Sequence, residues 1–182
     1  VSNDMSNHVF DTIMKRNADY PIKLCGLHAM DSCRIEKAYR HFGHDISNED
    51  NALEAGLGFV VKENKPDTKF GSMIGKNSII KKRNEGFNNL LLQFRLKDPE
   101  PLLYHNEPII RDGEIVGYLT SGNYGHHLEG AIGLGYIKCK EIGESSKSIL
   151  ASNYQIDVAG NIIDADVSIQ PMYDPKSLKI KI

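Results

Sequence analysis

The sequence is short of cysteine, of long apolar runs and of charge of one sign. Its three cysteines are an odd number without CxxC spacing, which predicts reduced thiols in a cytosol-like compartment; they are Cys25, Cys33 and Cys139. No apolar run approaches the length of a membrane span, and the amino end lacks the charged-then-apolar layout of a signal peptide. The 22 Lys and Arg residues against 24 Asp and Glu leave a net charge of −2, which argues against a broad surface for nucleic acid or an anionic membrane.

What is present is the composition of an ordinary globular protein. The 182 residues are 40% hydrophobic and 25% charged, which is enough chain for one large domain or two small ones around a core. The chain opens with Val1 rather than Met, so we expect a fragment or a processed product.

The stretch GLHAMDSCRIEKAYRHFGHDI, residues 26–46, is typical of one amphipathic helix stopped by Gly43. Asp31 and Arg34 fall on its apolar side, where an unpaired charge is costly. We favour a structural Asp31–Arg34 ion pair that ties the helix to a neighbouring domain; the alternative is that the pair lines a polar ligand cavity. The predicted core-facing stripe consists of Leu27, Met30, Ile35, Ala38 and Phe42.

The patterns on the two sides of residue 86 differ in character. Before it they predict a helix over 3–16, a turn entering a strand over 53–61, a loop over 63–71 and a short basic helix over 76–84. After it, short alternating runs and turn signals predict antiparallel strands without helices, as in a small barrel or sandwich. These strands are expected over 90–96, 108–110, 115–120, 131–137, 154–158 and 162–169, with hairpins at Asp112-Gly113 and Ala159-Gly160-Asn161. We place a boundary near residues 84–88.

Two histidine motifs are candidates for chemistry. His41-x-x-His44-Asp45 has residue types that bind divalent metals, but Gly43 is expected to break the helix between the histidines and no third outlying ligand is evident. We therefore interpret it as a helix end, where a histidine suits the dipole. His126-His127, in a Gly-rich loop, is a candidate for ligand contact or proton transfer, although such histidines are usually solvent-exposed. No Walker loop and no nucleophile elbow are present, and Gly133-x-Gly135 lacks the helix of a dinucleotide fingerprint.

Four segments in order carry a family resemblance. They are GLHAMDSCRIEKAYRHFGHDI, NALEAGLGFVVKENKPD, VGYLTSGNYGHHLEGAIGLGYI and PMYDP. They resemble the carboxyl-terminal part of the glycine cleavage T-protein (aminomethyltransferase) family. RIEKAYRHFGHD and the ending YDPKSLKIKI point within it to the tails of FAD-dependent sarcosine and dimethylglycine dehydrogenases.

The resemblance implies an α+β fold. It predicts part of the folate-binding domain over 1–86, followed by a small antiparallel β-barrel domain over 87–182. Family members bind tetrahydrofolate and transfer a one-carbon unit to it from an amine-bearing carrier or an imine, giving methylenetetrahydrofolate. On this basis Met30 and Arg34 are expected to wall the folate cavity and Tyr173 to close it from the barrel side. The implied location is cytoplasmic, or the mitochondrial matrix in a eukaryote.

Departures from the family pattern limit what this chain is expected to do itself. The family's catalytic aspartate and folate-clamping glutamate belong upstream of Val1, so no catalytic residue is expected here, and no FAD-binding motif is present. Met30 replaces an arginine of T-proteins but suits the dehydrogenase branch. Ala52 replaces a proline, and the loop over 67–73 is longer than usual.

Three hypotheses follow. The first is the carboxyl-terminal part of a folate-dependent demethylating enzyme, partnered by the upstream flavoprotein and folate-domain half of the same polypeptide; the truncated face is expected to self-associate. A stand-alone T-protein tail is a variant of it. The second is a non-catalytic docking module on the same scaffold, and the third is a metal hydrolase at His41, His44 and Asp45.

Overall fold

The protein is an α+β chain of helices followed by a β-barrel. The computed structural model describes residues 1–63 and 73–181. Its helices are α1 Ser6–Met14, α2 Leu27–Glu36, α3 Lys76–Glu85 and α4 Ser146–Ala151, with 3₁₀ turns at Asn3–Met5 and Lys15–Ala18. Its strands are β1 Asn89–Leu96, β2 Pro108–Arg111, β3 Glu114–Gly125, β4 Gly130–Lys138, β5 Tyr154–Val158 and β6 Asn161–Ser168.

Six antiparallel strands close into a barrel in the order β1-β4-β3-β2-β5-β6, with β6 paired back onto β1. This confirms the predicted fold class. Both predicted tight hairpins are present, and each uses positive φ at two adjacent residues: 51° and 91° at Asp112 and Gly113, and 52° and 89° at Ala159 and Gly160.

Strand β1 is buried on both faces because it separates two apolar clusters. Leu92, Phe94 and Leu96 point into the barrel core together with Leu119 and Ile156. On the opposite face, Leu91 packs with Ile132 and Leu134 of β4 against Ile35 and Ala38. The carboxyl-terminal part of α2 therefore lies against the outside of the barrel, at β1 and β4.

The prediction of one helix running to Gly43 is wrong, because α2 ends at Glu36. Ala38 adopts φ 53°; its N–H donates to the Ile35 carbonyl at 2.9 Å, and the Tyr39 N–H donates to the Arg34 carbonyl at 2.8 Å. These paired bonds form a Schellman motif. Glycine usually occupies the left-handed position of this motif, so alanine gave no stop signal in the sequence.

The predicted apolar stripe is correct only near this helix end. Ile35 and Ala38 are buried, whereas Leu27, Met30 and Phe42 are 75%, 50% and 65% exposed. His41 consequently lies in a turn beyond the helix, not in its last turn as predicted.

Other sequence predictions have mixed outcomes. The predicted helices at the amino end and at residues 76–84 are present, as are all the predicted strands from β1 to β6. The segment 53–61 forms successive turns and no strand, and α4 was missed in a region predicted to lack helices. The predicted loop, with its long stretch over 67–73, lies outside the described residues except at its ends.

The chain forms two compact units, Val1–Met30 and Asp31–Ile182. The second contains the whole barrel. The predicted domain boundary near residue 86 stays a prediction. Among the helices of residues 1–63 and 73–181, none has the length and apolar character needed to cross a membrane.

Candidate functional site

Arg34, in the carboxyl-terminal part of α2, makes hydrogen bonds through all three nitrogens of its guanidinium group. Its Nε donates to Asp31 Oδ1 at 2.9 Å, its Nη1 to Asp45 Oδ2 at 2.5 Å and its Nη2 to Ser121 Oγ at 2.8 Å. The predicted Asp31–Arg34 ion pair is therefore present, but Arg34 also has a second, more deeply buried carboxylate partner. The Asp45 side chain is 0% exposed and that of Asp31 is 33% exposed.

Asp45 is satisfied by donors from three parts of the chain. Besides Arg34, it accepts hydrogen bonds from the His41 N–H at 2.9 Å, from Thr120 Oγ1 at 2.6 Å and from Ser121 Oγ at 2.7 Å. Thr120 and Ser121 both belong to β3. A buried carboxylate needs such a set of donors, so we interpret Asp45 as a structural anchor for the segment after α2.

His41, His44 and Asp45 are not arranged as the ligands of one metal ion. The His41 and His44 rings stack at 4.5 Å, while the carboxylate of Asp45 is held by Arg34 and the β3 hydroxyls. Within the described parts of the chain, no three or more His, Cys, Asp or Glu side chains are arranged to hold a metal ion.

Burial sets the electrostatics beside this network. Burial lowers the pKa of the Arg40 guanidinium, against the opposing charges of Asp45 and Tyr136. Burial raises the pKa of Tyr136, and the negative charges of Asp50 and Asp45 raise it further. The region is thus a poorly solvated patch in which charges must be paired.

Glu36, the last residue of α2, holds the loop between β3 and β4. Its side chain is 3% exposed, and Oε1 accepts the backbone N–H groups of His127 at 2.6 Å and Leu128 at 3.0 Å. Its Oε2 lies 3.3 Å from His127 Nδ1. A carboxylate at a helix carboxyl end is opposed by the dipole, so these donors are what make its burial tolerable.

Tyr173 lies in the segment after β6, next to that loop. The ring centroid of Tyr173 is 4.5 Å from that of His127. Lys179 Nζ also approaches the tyrosine ring, at 4.8 Å from its centroid. The tyrosine is half-buried and the histidine exposed. The predicted site residue Tyr173 and the candidate His127 are therefore in contact, which the sequence did not reveal.

Two polar contacts fix the segment on either side of Tyr173. The Met172 N–H donates to Gln93 Oε1 at 2.7 Å. Lys37 Nζ donates to the Asp174 carbonyl and lies 3.3 Å from Asp174 Oδ2. Burial works to raise the pKa of Asp174, but the Leu178 and Lys179 N–H groups and Lys37 outweigh it, so the net pKa is lowered.

The remaining predicted residue, Met30, belongs to the first unit and is 50% exposed. Of the predicted folate-binding residues, Arg34 and Tyr173 both lie in the second unit. Sequence reasoning missed Glu36, Asp45 as an anchor, and Gln93. Glu36 lies nine residues after Leu27, on the side of the helix opposite to the predicted apolar stripe, so the helical pattern gave no signal for it.

The described part of the barrel also carries open cavities away from these residues. One of about 760 Å³ is lined by parts of β5 and β6, including Asp164 and Asp166. Another, of about 450 Å³, lies beside the β2–β3 turn and includes Cys139, whose pKa is raised by burial. Neither is lined by Met30, Arg34 or Tyr173. All three cysteines are free.

Comparison with known proteins identifies the family. The model of the glycine cleavage T-protein C-terminal barrel domain matches residues 90–174, and that of the GCVT N-terminal domain matches residues 1–65. Together the two matches span most of the chain, in the order found in the family. The chain belongs to the glycine cleavage T-protein family. The resemblance read from the sequence is thereby confirmed.

Relatives of this chain include an oxidase, a dehydrogenase and a regulatory subunit. It is 34% identical over 180 residues to 4-methylaminobutanoate oxidase (formaldehyde-forming) from Paenarthrobacter nicotinovorans, covering 99% of this chain and 20% of the relative. It is 29% identical over 174 residues to human mitochondrial sarcosine dehydrogenase, covering 95% of this chain and 18% of the relative. A third relative is the mouse mitochondrial pyruvate dehydrogenase phosphatase regulatory subunit, 30% identical, with 91% and 20% covered.

A solved structure supports the same fold. The glycine cleavage system aminomethyltransferase T from Bartonella henselae matches with a TM-score of 0.75 and 18% identity, over 93% of this chain and 45% of that one. The chain thus spans about a fifth of the length of the 4-methylaminobutanoate oxidase and of the sarcosine dehydrogenase, and less than half of the aminomethyltransferase.

Proposed function

We propose that the chain is the carboxyl-terminal part of a folate-dependent one-carbon transfer enzyme of the sarcosine or dimethylglycine dehydrogenase type. The reaction passes the methyl-derived carbon of a methylated amine to tetrahydrofolate, giving methylenetetrahydrofolate. The observation that carries the proposal is the alignment of 99% of the chain with a fifth of an N-methyl amine oxidase. Such a match supports one functional region within a longer polypeptide.

In this proposal tetrahydrofolate supplies the nucleophile that accepts the carbon, and the chain supplies binding surface. Tyr173, with His127 against it, offers half-buried ring area to a planar ligand. The Arg34 guanidinium is already bonded to Asp31, Asp45 and Ser121, so in this proposal its main part is to support the wall of the cavity. Met30 would add apolar surface, being half exposed.

We place the carboxylate chemistry and the flavin in the upstream region of the same polypeptide. The exposed apolar side chains of the first unit support the idea that this upstream region packs against it. They are Phe10, Ile13, Leu24, Leu27 and Met30. Without that neighbour, the isolated chain is expected to self-associate. Holding the imine carbon and the folate together while water is excluded would supply most of the rate.

The test uses the full-length gene product. Sarcosine, dimethylglycine and 4-methylaminobutanoate are each supplied with and without tetrahydrofolate, and formaldehyde and methylenetetrahydrofolate are measured. We expect amine oxidation with one of them, and a fall in free formaldehyde when tetrahydrofolate is present. Absence of turnover with every methylated amine would overturn the proposal.

A variant pair connects this assay to the site. Tyr173→Ala is expected to raise the KM for tetrahydrofolate by up to about tenfold, since an aromatic stacking contact contributes roughly 0.5–1.5 kcal/mol. Tyr104→Ala, which removes a 66% exposed tyrosine elsewhere on the barrel, is the matched control. Equal KM values in the two variants would remove Tyr173 from the site.

The second candidate is a non-catalytic docking module. The similarity to a pyruvate dehydrogenase phosphatase regulatory subunit favours it, because that relative is named as a regulatory subunit and not as an enzyme. The match to it covers 91% of this chain. Demethylation of any amine by the full-length protein would exclude it. A full-length protein that binds a partner protein without oxidising amines would support it.

A further inference from the structure

We propose that Glu36, Lys37 and Gln93 act as positioning residues that bring His127 and Tyr173 into contact. The proposal rests on the proposed function for its functional consequence, because the contact matters to catalysis only if Tyr173 faces the folate. All five residues lie in the unit Asp31–Ile182. The carboxyl end of α2 is the common point from which both rings are held.

Glu36 sets the position of the histidine. Its buried carboxylate accepts the N–H groups of two successive loop residues, His127 and Leu128, at 2.6 and 3.0 Å. Because both bonds are made to the backbone, they fix where the loop starts its turn and hence where the His127 ring lies. The second carboxylate oxygen, 3.3 Å from Nδ1, then orients the ring itself.

Gln93 sets the position of the tyrosine from the same point. Its side chain is buried in β1, and Nε2 donates to the Ile35 and Glu36 carbonyls at 2.7 and 3.1 Å. Oε1 accepts the N–H of Met172 at 2.7 Å, one residue before Tyr173. The Gln93 amide thus joins the last turn of α2, through its nitrogen, to the segment after β6, through its oxygen.

Lys37 completes the arrangement one residue after Tyr173. Its ammonium group donates to the Asp174 carbonyl and pairs with the Asp174 carboxylate, with side chains 11% and 9% exposed. Tyr173 is therefore held through its two neighbours in the chain. Met172 is bonded to Gln93 of β1, and Asp174 is bonded to Lys37, which follows the last residue of α2. The 4.5 Å ring contact is the result.

The experiment measures ring position and folate use separately in the full-length protein. Histidine labelled with ¹³C at Cε1 gives a ring signal for His127, assigned by His127→Gln and shifted by the ring current of Tyr173. Glu36→Ala and Lys37→Met are expected to move this signal toward that of a solvent-exposed histidine. Glu36→Gln keeps an oxygen for both N–H groups, and is expected to leave the signal in place.

Kinetics then test the consequence. Glu36→Ala and Lys37→Met should raise the KM for tetrahydrofolate by roughly three- to tenfold, with the KM for the amine and the rate of amine oxidation unchanged. Glu36→Gln should keep the wild-type KM for tetrahydrofolate. The control is Glu144→Gln, which breaks a buried pair with Arg111 that includes neither ring and should alter stability without altering either readout.

The two failures are distinguishable. An unmoved His127 signal in both Glu36→Ala and Lys37→Met would overturn the positioning roles. If the His127 signal moves in the variants but the wild-type protein does not use tetrahydrofolate, the positioning roles stand and the proposed function is overturned. A change in both KM values, matched by the Glu144→Gln control, would show a general loss of stability and overturn the proposal.

Discussion

At the scale of single residues, Asp45 makes Arg34 indispensable. Arg34→Ala leaves a carboxylate that is 0% exposed without its cation, and breaking a buried pair on one side costs about 3–5 kcal/mol. Asp31→Ala removes a partner that is one-third exposed, so we expect a loss of at most about 1 kcal/mol. Urea unfolding of both variants measures the two free energies of unfolding, and equal small losses would contradict the buried role of Asp45.

A second variant separates the charge from the packing. In Arg34→Ala combined with Asp45→Asn, the buried charge is gone, so part of the stability lost in Arg34→Ala should return. A double variant that is less stable than Arg34→Ala would mean that the hydrogen bonds of Asp45 to β3 matter more than its charge.

Residue-scale prediction succeeded where partners are close in sequence. Asp31 and Arg34 are three residues apart, so helical geometry alone suggested their pairing. Asp45 meets Thr120 and Ser121 across more than seventy residues, and Glu36 meets His127 across ninety-one. No local pattern encodes such contacts, so the anchors of the candidate site emerged only with the fold.

At the scale of elements, glycine sets how closely β3 and β4 approach. A Cβ at Gly117 would lie 1.9 Å from the Tyr136 carbonyl oxygen, so Gly117→Ala must push the paired strands apart. We expect a loss of about 3 kcal/mol or more. Gly130→Ala, where the nearest atom to a Cβ is at 3.4 Å, is the control from the same strand pair. Comparable melting temperatures for the two variants would contradict a tight β3–β4 contact.

Strand prediction worked because the barrel strands obey local rules. Alternating apolar residues and the glycine-containing turns at Asp112-Gly113 and Ala159-Gly160-Asn161 are readable in sequence. Helix α2 was predicted too long because Ala38 takes a conformation in which alanine is uncommon. Gly133 and Gly135 allow β4 to pack closely on Leu119 and Tyr118 of β3.

At the scale of the whole molecule, the α+β class and the barrel were predictable, and the motifs in order identified the family. The site was less predictable, because its parts come from α2, the β3–β4 loop and the tail after β6. The barrel brings these three segments together. Tyr173 and His127 were each singled out in the sequence, but their contact depends on the register of that barrel.

The stability of the whole barrel unit should depend on acid pH through one buried pair. Arg111 donates to both oxygens of Glu144, at 2.9 and 2.6 Å, joining β2 to the segment before α4, with side chains 0% and 2% exposed. The hydrogen bonds from Arg111, aided by Ser148 and the Lys140 N–H and opposed by burial, lower the pKa of Glu144 to about 2 from an ordinary 4.5.

A carboxyl whose folded pKa lies below its unfolded pKa stabilises the fold fully above the unfolded value and loses that contribution as pH falls through the folded value. For Glu144 the window runs from about pH 4.5 down to about 2, and the contribution is on the order of 3 kcal/mol. Denaturant unfolding of the wild type and Glu144→Gln at pH 7, 4.5 and 3 measures it. We expect the wild type to lose its advantage as pH falls below 4.5, since its carboxylate is then partly protonated on unfolding. A difference between the two proteins that stays constant from pH 7 to pH 3 would mean that Glu144 stabilises the barrel by packing and neutral hydrogen bonds instead of by its charge.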